Sequence, residues 1–465
     1  MSRKPSAAVR RLLEARGQAH LLPVFESIDP AKADVFAAEI AAVDFDLLER
    51  LVREAKAPPA PPPGAPEPPT VVRKGADAAD DAACRAIGEE LLRGGKVAAL
   101  VVAGGQGSRL GHAGPKGTFP ATPVKRKTLF RLFSEKLLAL GARYGRPVPF
   151  LVMTSEENHA DTVAFFEANG RFGLAADQTV FFTQGMLPAV DEAGRLVMKE
   201  LGALFRSPNG HGGTLLALHA SGALDEMGRR GVEEIFYFQV DNPLVEMCDP
   251  VFLGGHRRAA SDFSSKVVEK SGPDEKVGVL VRSDGKLGVV EYSDLSPELR
   301  HARGTDGRLR FGAGNIAVHA LRVDFVRRLN ERGFSLPYHV AKKKLPCAAP
   351  DGRATETPGF KFETFVFDAL GLARNPYVLE VVREREFGPI KNASGVDSAE
   401  SSSALQIRLA ADWLDAAGVP PPRGADGAPT VPIEISPLYA DSPEALRARA
   451  PRGLDFSKPV YLGNA

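Results

Sequence analysis

Three glycines within four positions, Gly104, Gly105 and Gly107, follow the apolar run 97–103, VAALVVA. Glycines spaced this way let backbone N–H groups approach an anion closely. Ala103 and Gln106 complete the loop, and Arg109 adds a planar cationic fork two residues on. Lys116 then stands between Pro115 and Gly117. The set suits a triphosphate, because a point charge near an α-phosphate offsets the negative charge that builds up in phosphoryl-type transfer. Lys116 also has a plainer reading as a solvated loop lysine, and position alone leaves both open.

Spacing excludes two commoner phosphate loops. A dinucleotide loop needs G-x-G-x-x-G, and the sixth position counted from Gly105 is Leu110. A P-loop needs Gly-Lys-[Ser/Thr] after four spacers, whereas the order here is Pro115-Lys116-Gly117-Thr118. Asp241 follows a second apolar run, 235–240, IFYFQV. A carboxylate at the carboxyl end of a strand is a hard oxygen ligand suited to Mg²⁺, or else the first residue of a turn. Gln184 carries an amide that can both donate and accept, as an edge of a nucleobase requires. Gly210-His211-Gly212-Gly213 is a second glycine-rich turn. Taken alone, these two also read as a surface amide and an ordinary turn.

The elements that must hold these residues alternate. Runs 97–103, 149–153, 179–182 and 235–240 read as buried strands, with helical faces between them, such as Leu129, Leu132, Phe133 and Leu137 after Thr128. Such alternation predicts an α/β fold with a mostly parallel sheet, whose ligands bind beyond the carboxyl ends of the strands. Mixed strands follow residue 260, including 277–281 and 287–292, and 394–403 reads as a loop. Before the sheet, Val9, Leu12 and Leu13 share a helical face. Asp29-Pro30 opens a second helix with Phe36, Ile40 and Val43 on one side, and Phe45 to Val52 form a third face. The proline-rich stretch between them and the sheet is a semi-rigid spacer. The expected segmentation is a helical region at 1–56, a linker at 57–70, a catalytic domain at 71–395 and a small domain at 396–465.

A chain of 465 residues with 44% hydrophobic and 25% charged residues has ordinary globular composition. A net charge of +1 gives no sign of a nucleic-acid partner. Cys84, Cys248 and Cys347 lack metal-ligand spacing and read as incidental thiols in a reducing compartment. The basic start has no apolar signal core and no run is long enough to span a bilayer, so a soluble cytoplasmic protein without a membrane partner is expected. Monomer and homodimer both stay open.

Residues 97–130 resemble the signature of the UDP-N-acetylhexosamine pyrophosphorylases, within the wider type 1 UDP-sugar pyrophosphorylase family: LVVAGGQGSRLG, GPKGTFP and RKTLF. The likeness continues through FFTQGMLPA, QVDNPLV, KVVEK, VVEYSDL, GAGNIA, FVFD, FGPIKNASGVDS and EISPL. It implies a Rossmann-like, GT-A-like nucleotidyltransferase domain with a mixed sheet, a helical N-terminal part and a small C-terminal domain. It also implies uridylyl transfer from UTP to a sugar 1-phosphate, assisted by Mg²⁺ on Asp241.

The resemblance assigns roles residue by residue. Gln184 is similar to the family's uracil reader, and Gly210 with His211 lies where its Gly-Asn-Gly-Gly turn follows the uridine. Gly278, Glu291, Asn315, Phe365 and Phe367 match sugar-binding positions. Lys361 and Lys391 match two late phosphate-contacting lysines, which join Arg109 and Lys116 as the catalytic cations. The run Lys342-Lys343-Lys344 reads as a solvated face. Three positions depart from the acetylhexosamine pattern: His211 replaces Asn, Asn209 replaces Asp, and Gly312 replaces Asn. The first is similar to what glucose-type and broad-specificity relatives carry, so a UTP–glucose-1-phosphate uridylyltransferase or a broad-specificity UDP-sugar pyrophosphorylase is the alternative. The expected sugar is N-acetylglucosamine 1-phosphate, with glucose 1-phosphate and N-acetylgalactosamine 1-phosphate behind it. A non-catalytic nucleotide-sugar sensor on this fold would be expected to have lost Arg109, Lys116 or Asp241, and all three are present. The failed dinucleotide spacing argues against an NAD-dependent oxidoreductase.

Overall fold

The computed structural model describes residues 4–57, 64–331, 333–334, 336–449 and 452–463. Part of the proline-rich linker, 58–63, lies outside the described residues. The chain forms two compact units, each assembled from three segments. One comprises 1–62, 184–216 and 335–368, and the other 63–183, 217–334 and 369–465. Their discontinuity is something that a division drawn along the chain does not express.

The larger unit is built on a ten-stranded sheet. In chain order its strands are β1 (Val72–Arg73), β2 (Val97–Val102), β3 (Phe150–Thr154), β4 (Thr179–Thr183), β5 (Glu234–Gln239), β6 (Phe263–Glu269), β7 (Val279–Ser283), β8 (Lys286–Val290), β9 (Ala313–Arg322) and β10 (Val378–Glu380). The main path runs β1-β10-β6-β9-β5-β2-β3-β4, with the β7–β8 hairpin attached to β9. Along this path every pairing is parallel except the two that β9 makes, antiparallel to β5 and β6. The sheet is therefore mixed, as the family resemblance implied, and the four expected strands β5, β2, β3 and β4 lie side by side, with β4 at the edge.

Period-two alternation sends Ala99, Val101, Phe150, Val152, Phe236 and Phe238 into one core with Phe130, Phe133 and Leu137. Each fully buried phenylalanine stabilises by about 1.5–3 kcal/mol. The helix carrying those last three residues, Leu129–Tyr144, starts at Thr128, whose side chain accepts the Arg131 N–H. Helices Ala78–Arg93 and Pro250–Arg258 touch backbone to backbone. A Cβ on Gly88 would lie 1.9 Å from the Pro250 carbonyl oxygen, and one on Gly254 1.7 Å from that of Cys84.

One expected loop is shorter than read. Residues 399–403 begin the helix Ala399–Ala416, because Ser398 and Ser401 form a reciprocal capping box. The small polar residues there start a helix, and only 394–398 remain a loop.

In the smaller unit, helices Ala7–Ala15, Pro30–Ala41 and Phe45–Lys56 share a core with a five-stranded sheet. Phe25, Phe36 and Leu51 meet Val190, Met198, Phe360 and Phe362 there. Asp29 caps its helix with Pro30 in the first turn, as the sequence predicts. The sheet's longest pairing is the hairpin His339–Ala348 with Ala354–Glu363. Among the described residues no helix is long and apolar enough to cross a membrane.

Candidate active site

The candidate residues fall on both units. In the larger one, β2 and β5 pair in parallel with Val102 opposite Gln239. The glycine loop and the Asp241 loop therefore leave the sheet side by side at its carboxyl edge. Ala103 is buried, and its N–H continues the ladder to the Met153 carbonyl at 2.8 Å. The loop then folds back on itself: Gly107 N–H donates to Gly114 O at 2.9 Å and Lys116 N–H to Gly105 O at 3.1 Å. A Cβ on Gly105 would meet no protein atom within 4 Å, so the fold itself makes no steric demand for glycine there. Arg109 lies exposed on the short turn Ser108–Leu110.

Lys116 opens the turn Lys116–Thr118. Gly117 lies flat against Phe130, where a Cβ would come within 2.1 Å of the ring. His112 Nε2 lies 2.7 Å from Thr118 Oγ1, which itself donates to Pro115 O at 2.8 Å. Since the hydroxyl hydrogen is already used, His112 must be the donor, with its proton on Nε2. Lys116 Nζ stands 3.6 Å from Asp241 Oδ2, and both side chains are mostly buried.

The Asp241 loop is knitted to the segment that carries Lys391. Ile390 N–H donates to the Asp241 carbonyl at 2.8 Å. Asn242 is buried; its Nδ2 donates to Glu386 O at 2.7 Å and its Oδ1 accepts from Gly388 N–H at 3.1 Å. Lys391 follows directly, with its ammonium 3.6 Å from Asp397 Oδ2 and 5.3 Å from the centre of the Phe387 ring.

Gly278, Glu291 and Asn315 are brought together. Asn315 N–H donates to Gly278 O at 2.8 Å, and a Cβ on Gly278 would lie 3.3 Å from Glu291 Oε1. An irregularity between β6 and β9 makes Val267 pair with Asn315 although Lys266 pairs with Val318. Ala317 takes a positive φ of 53° there, and Asn315 Oδ1 accepts its N–H at 3.0 Å. The bulge changes the direction in which β9 presents Asn315.

In the smaller unit, Gly210 and His211 meet the segment 364–368. Gly212 N–H donates to Thr364 O at 2.9 Å, and Thr364 N–H to Asn209 O at 2.8 Å. A Cβ on Gly210 would lie 2.3 Å from Thr364 O, so this turn needs glycine for close approach as well as for its φ of 82°. His211 stacks on Phe365 at 5.3 Å and lies 5.5 Å from Phe367. Its Nδ1 accepts the Val366 N–H at 3.1 Å, which puts the ring proton on Nε2. Burial pushes the His211 pKa down to about 4, against a weaker pull from Asp368. Lys361 sits with its ammonium 4.6 Å from the Phe205 ring centre, and burial lowers its pKa with help from Lys343. Gln184 is buried.

The sequence reading missed two structural supports. Asn158 is fully buried and donates through Nδ2 to Ala103 O at 2.9 Å and Gly105 O at 3.3 Å, tying the glycine loop from beneath. Lys266, inside the quoted KVVEK segment, is fully buried between Asp249 at 2.7 Å and Glu386 at 2.5 Å. Lys74 reaches Glu246 at 2.7 Å and Asp249 at 2.8 Å. Glu246, Asp249 and Glu386 lie close enough to hold a metal ion, but the ammonium groups of Lys74 and Lys266 already stand among them. Burial raises the Asp249 carboxyl, yet Lys266 and Lys74 outweigh it and hold its pKa well below the usual range. Burial prevails at Glu386, which is pushed up to about 7. Single polar residues in apolar runs gave no local signal of this network.

A family profile described as UTP–glucose-1-phosphate uridylyltransferase matches residues 77–406. The chain is 38% identical over 491 residues to UDP-N-acetylhexosamine pyrophosphorylase-like protein 1 of Homo sapiens, covering 98% of this chain and 96% of that one. It is 37% identical over 345 residues to the UDP-N-acetylglucosamine pyrophosphorylase of Saccharomyces cerevisiae, covering 71% and 72%. The solved uridine diphosphate N-acetylglucosamine pyrophosphorylase of Trypanosoma brucei superposes with a TM-score of 0.84 at 28% identity, covering 100% and 99%. A UDP-glucose phosphorylase from Trypanosoma brucei, at 17% identity and a TM-score of 0.59, shares the fold.

Proposed function

Because the chain belongs to the UTP–glucose-1-phosphate uridylyltransferase family, among its UDP-N-acetylhexosamine pyrophosphorylases, we propose that it joins the uridylyl group of UTP to N-acetylglucosamine 1-phosphate and releases pyrophosphate. The observation that carries the local chemistry is the Lys116–Asp241 pair at 3.6 Å, set where the glycine loop and the Asp241 loop leave adjacent parallel strands. The sugar phosphate oxygen attacks the α-phosphorus of UTP in line, and the phosphorus–oxygen bond to pyrophosphate breaks. The attacking phosphate is already ionised at neutral pH, so no general base is needed.

The protein's part is positioning and charge neutralisation. Backbone donors of residues 104–106 and the Arg109 fork cradle the triphosphate, with Ala103 and Gly107 holding the two ends of the loop through their own N–H bonds. Lys116 offsets charge at the α-phosphate, while Lys361 and Lys391 hold the remaining phosphate oxygens. Gln184 reads uracil, with Gly210 and His211 along the uridine. Gly278, Glu291, Asn315, Phe365 and Phe367 hold the sugar. The Asp241 carboxylate fits Mg²⁺ as a hard oxygen donor whose main-chain carbonyl is already occupied by Ile390. When bound, the ion would offset repulsion between the phosphates of the two substrates. A cytoplasmic location is part of the same proposal.

The test is pyrophosphate release from UTP and Mg²⁺ with N-acetylglucosamine 1-phosphate or glucose 1-phosphate, repeated with EDTA. Preference for the acetylated sugar and loss of turnover with EDTA are expected. Preference for glucose would overturn the sugar assignment, and turnover surviving EDTA would overturn the metal.

A further inference from the structure

We infer that Glu434 is a positioning residue for Lys116, which makes the C-terminal segment part of the scaffold of the glycine-and-lysine loop. The inference rests on the reading above in which Lys116 handles phosphate.

The turn that starts at Lys116 runs straight into a second, tightly closed turn. Phe119 N–H donates to Lys116 O at 3.0 Å, and Leu129 N–H to Phe119 O at 3.1 Å. Between them, Ala121 N–H donates to Lys127 O at 2.8 Å, and Lys127 N–H to Thr122 Oγ1 at 2.9 Å. Arg126 is held there at a φ of 54°. A residue with a side chain in that region costs about 1–3 kcal/mol, so something outside the turn must hold it closed.

That hold comes from the end of the chain. Glu434 lies on the short strand Ile433–Ile435 and is 6% exposed. Its Oε2 accepts two successive backbone N–H groups, from Val124 at 2.8 Å and Lys125 at 2.7 Å. Such charge-assisted bonds are roughly twice as strong as neutral ones. Two further side chains of the same segment grip the same turn. Gln406 Nε2 donates to Ala121 O at 2.9 Å, and Ser436 Oγ donates to Glu135 Oε2 at 3.1 Å, the oxygen that also takes the buried Lys127 ammonium at 2.5 Å. The segment has an apolar core of its own in Ala411, Leu414, Ile433 and Leu446. These polar contacts are thus additional to what its own folding needs: those of Glu434 and Gln406 end on the turn itself, and that of Ser436 on Glu135 in the helix that follows it.

Truncating Glu434 leaves two N–H groups without their acceptor and lets the turn relax. A displacement of about 1 Å at a reacting group can cost on the order of a hundredfold in rate. The experiment compares the full chain with Glu434→Ala, Glu434→Gln and Lys116→Ala, measuring kcat, both KM values, melting temperature and amide exchange at 116–128. Glu434→Ala should lose about tenfold or more in kcat at an almost unchanged KM for the sugar phosphate, with faster exchange at Val124 and Lys125. Glu434→Gln, which keeps an acceptor oxygen, should recover most of that loss. Wild-type kcat in Glu434→Ala, with Lys116→Ala inactive, overturns the inference alone. Full turnover in Lys116→Ala overturns instead the reading on which it rests. If Glu434→Ala fails to fold, Gln406→Ala takes its place: a several-fold lower kcat supports the inference and an unchanged one overturns it.

Discussion

Lys116 Nζ and Asp241 Oδ2 are 3.6 Å apart, joining the loops that follow β2 and β5 into one ion pair at the carboxyl edge of the sheet. Both side chains keep a little exposure, so water can reach the Asp241 carboxylate once its partner is removed. Lys116→Ala should therefore fold normally and lose about a hundredfold or more in kcat, the range seen when a preorganised charge-stabilising group is removed. Steady-state kinetics beside a melting curve checks this; a folded variant with full turnover would rule Lys116 out.

Gly117 has no room for a side chain, because Phe130 lies where the Cβ would go. Gly117→Ala must push the Lys116–Thr118 turn off the helix that carries Phe130. The expected stability loss is about 1–3 kcal/mol, as for overpacking elsewhere, with a larger fractional loss in kcat than in stability-limited yield. Urea unfolding combined with kinetics on the folded fraction separates the two.

His211 should make stability depend on acid. Its folded pKa of about 4 lies below the unfolded value of 6.5, so the unfolded chain binds the extra proton first as pH falls. Stability from this residue is intact above 6.5 and falls progressively between 6.5 and about 4. His211→Asn should flatten that part of the melting-temperature profile; an unchanged profile would show that the ring is not held neutral.

Lys266 is fully buried between two carboxylates. Lys266→Met would leave Asp249 and Glu386 facing each other with Lys74 as their remaining cation. Breaking a buried pair from one side costs about 3–5 kcal/mol. Denaturant midpoints measure it, and a loss under about 1 kcal/mol would mean that Lys74 alone compensates.

Local pattern carried the parallel half of the sheet well. Apolar runs such as 97–101 and 235–238 are buried on both faces and so announce themselves without alternation. The antiparallel strand β9 was visible only as the fragment GAGNIA, because its bulge at Ile316–Ala317 breaks the period of two. The hairpin 339–363 hid for another reason. Lys342, Lys343 and Lys344 are exposed, so the run reads as a solvated face while its backbone pairs along ten rungs. At the candidate site, glycine spacing and strand ends pointed to the glycine loop and to Asp241, and the structure sets these two loops side by side. Their supports, Asn158 and the Lys266 network, were not, because long-range burial gives a residue its meaning only after folding.

The facing glycines of helices Ala78–Arg93 and Pro250–Arg258 carry a consequence for how this sequence can change. Each would-be Cβ collides with a main-chain carbonyl, Gly88 with Pro250 and Gly254 with Cys84. Trimming a partner's side chain cannot open space that a backbone occupies. A suppressor screen started from Gly88→Ala should thus return true revertants or shifts of the whole helix, and no compensating substitution at Pro250 or Cys84. The contact is closed to paired drift, and each position is constrained on its own.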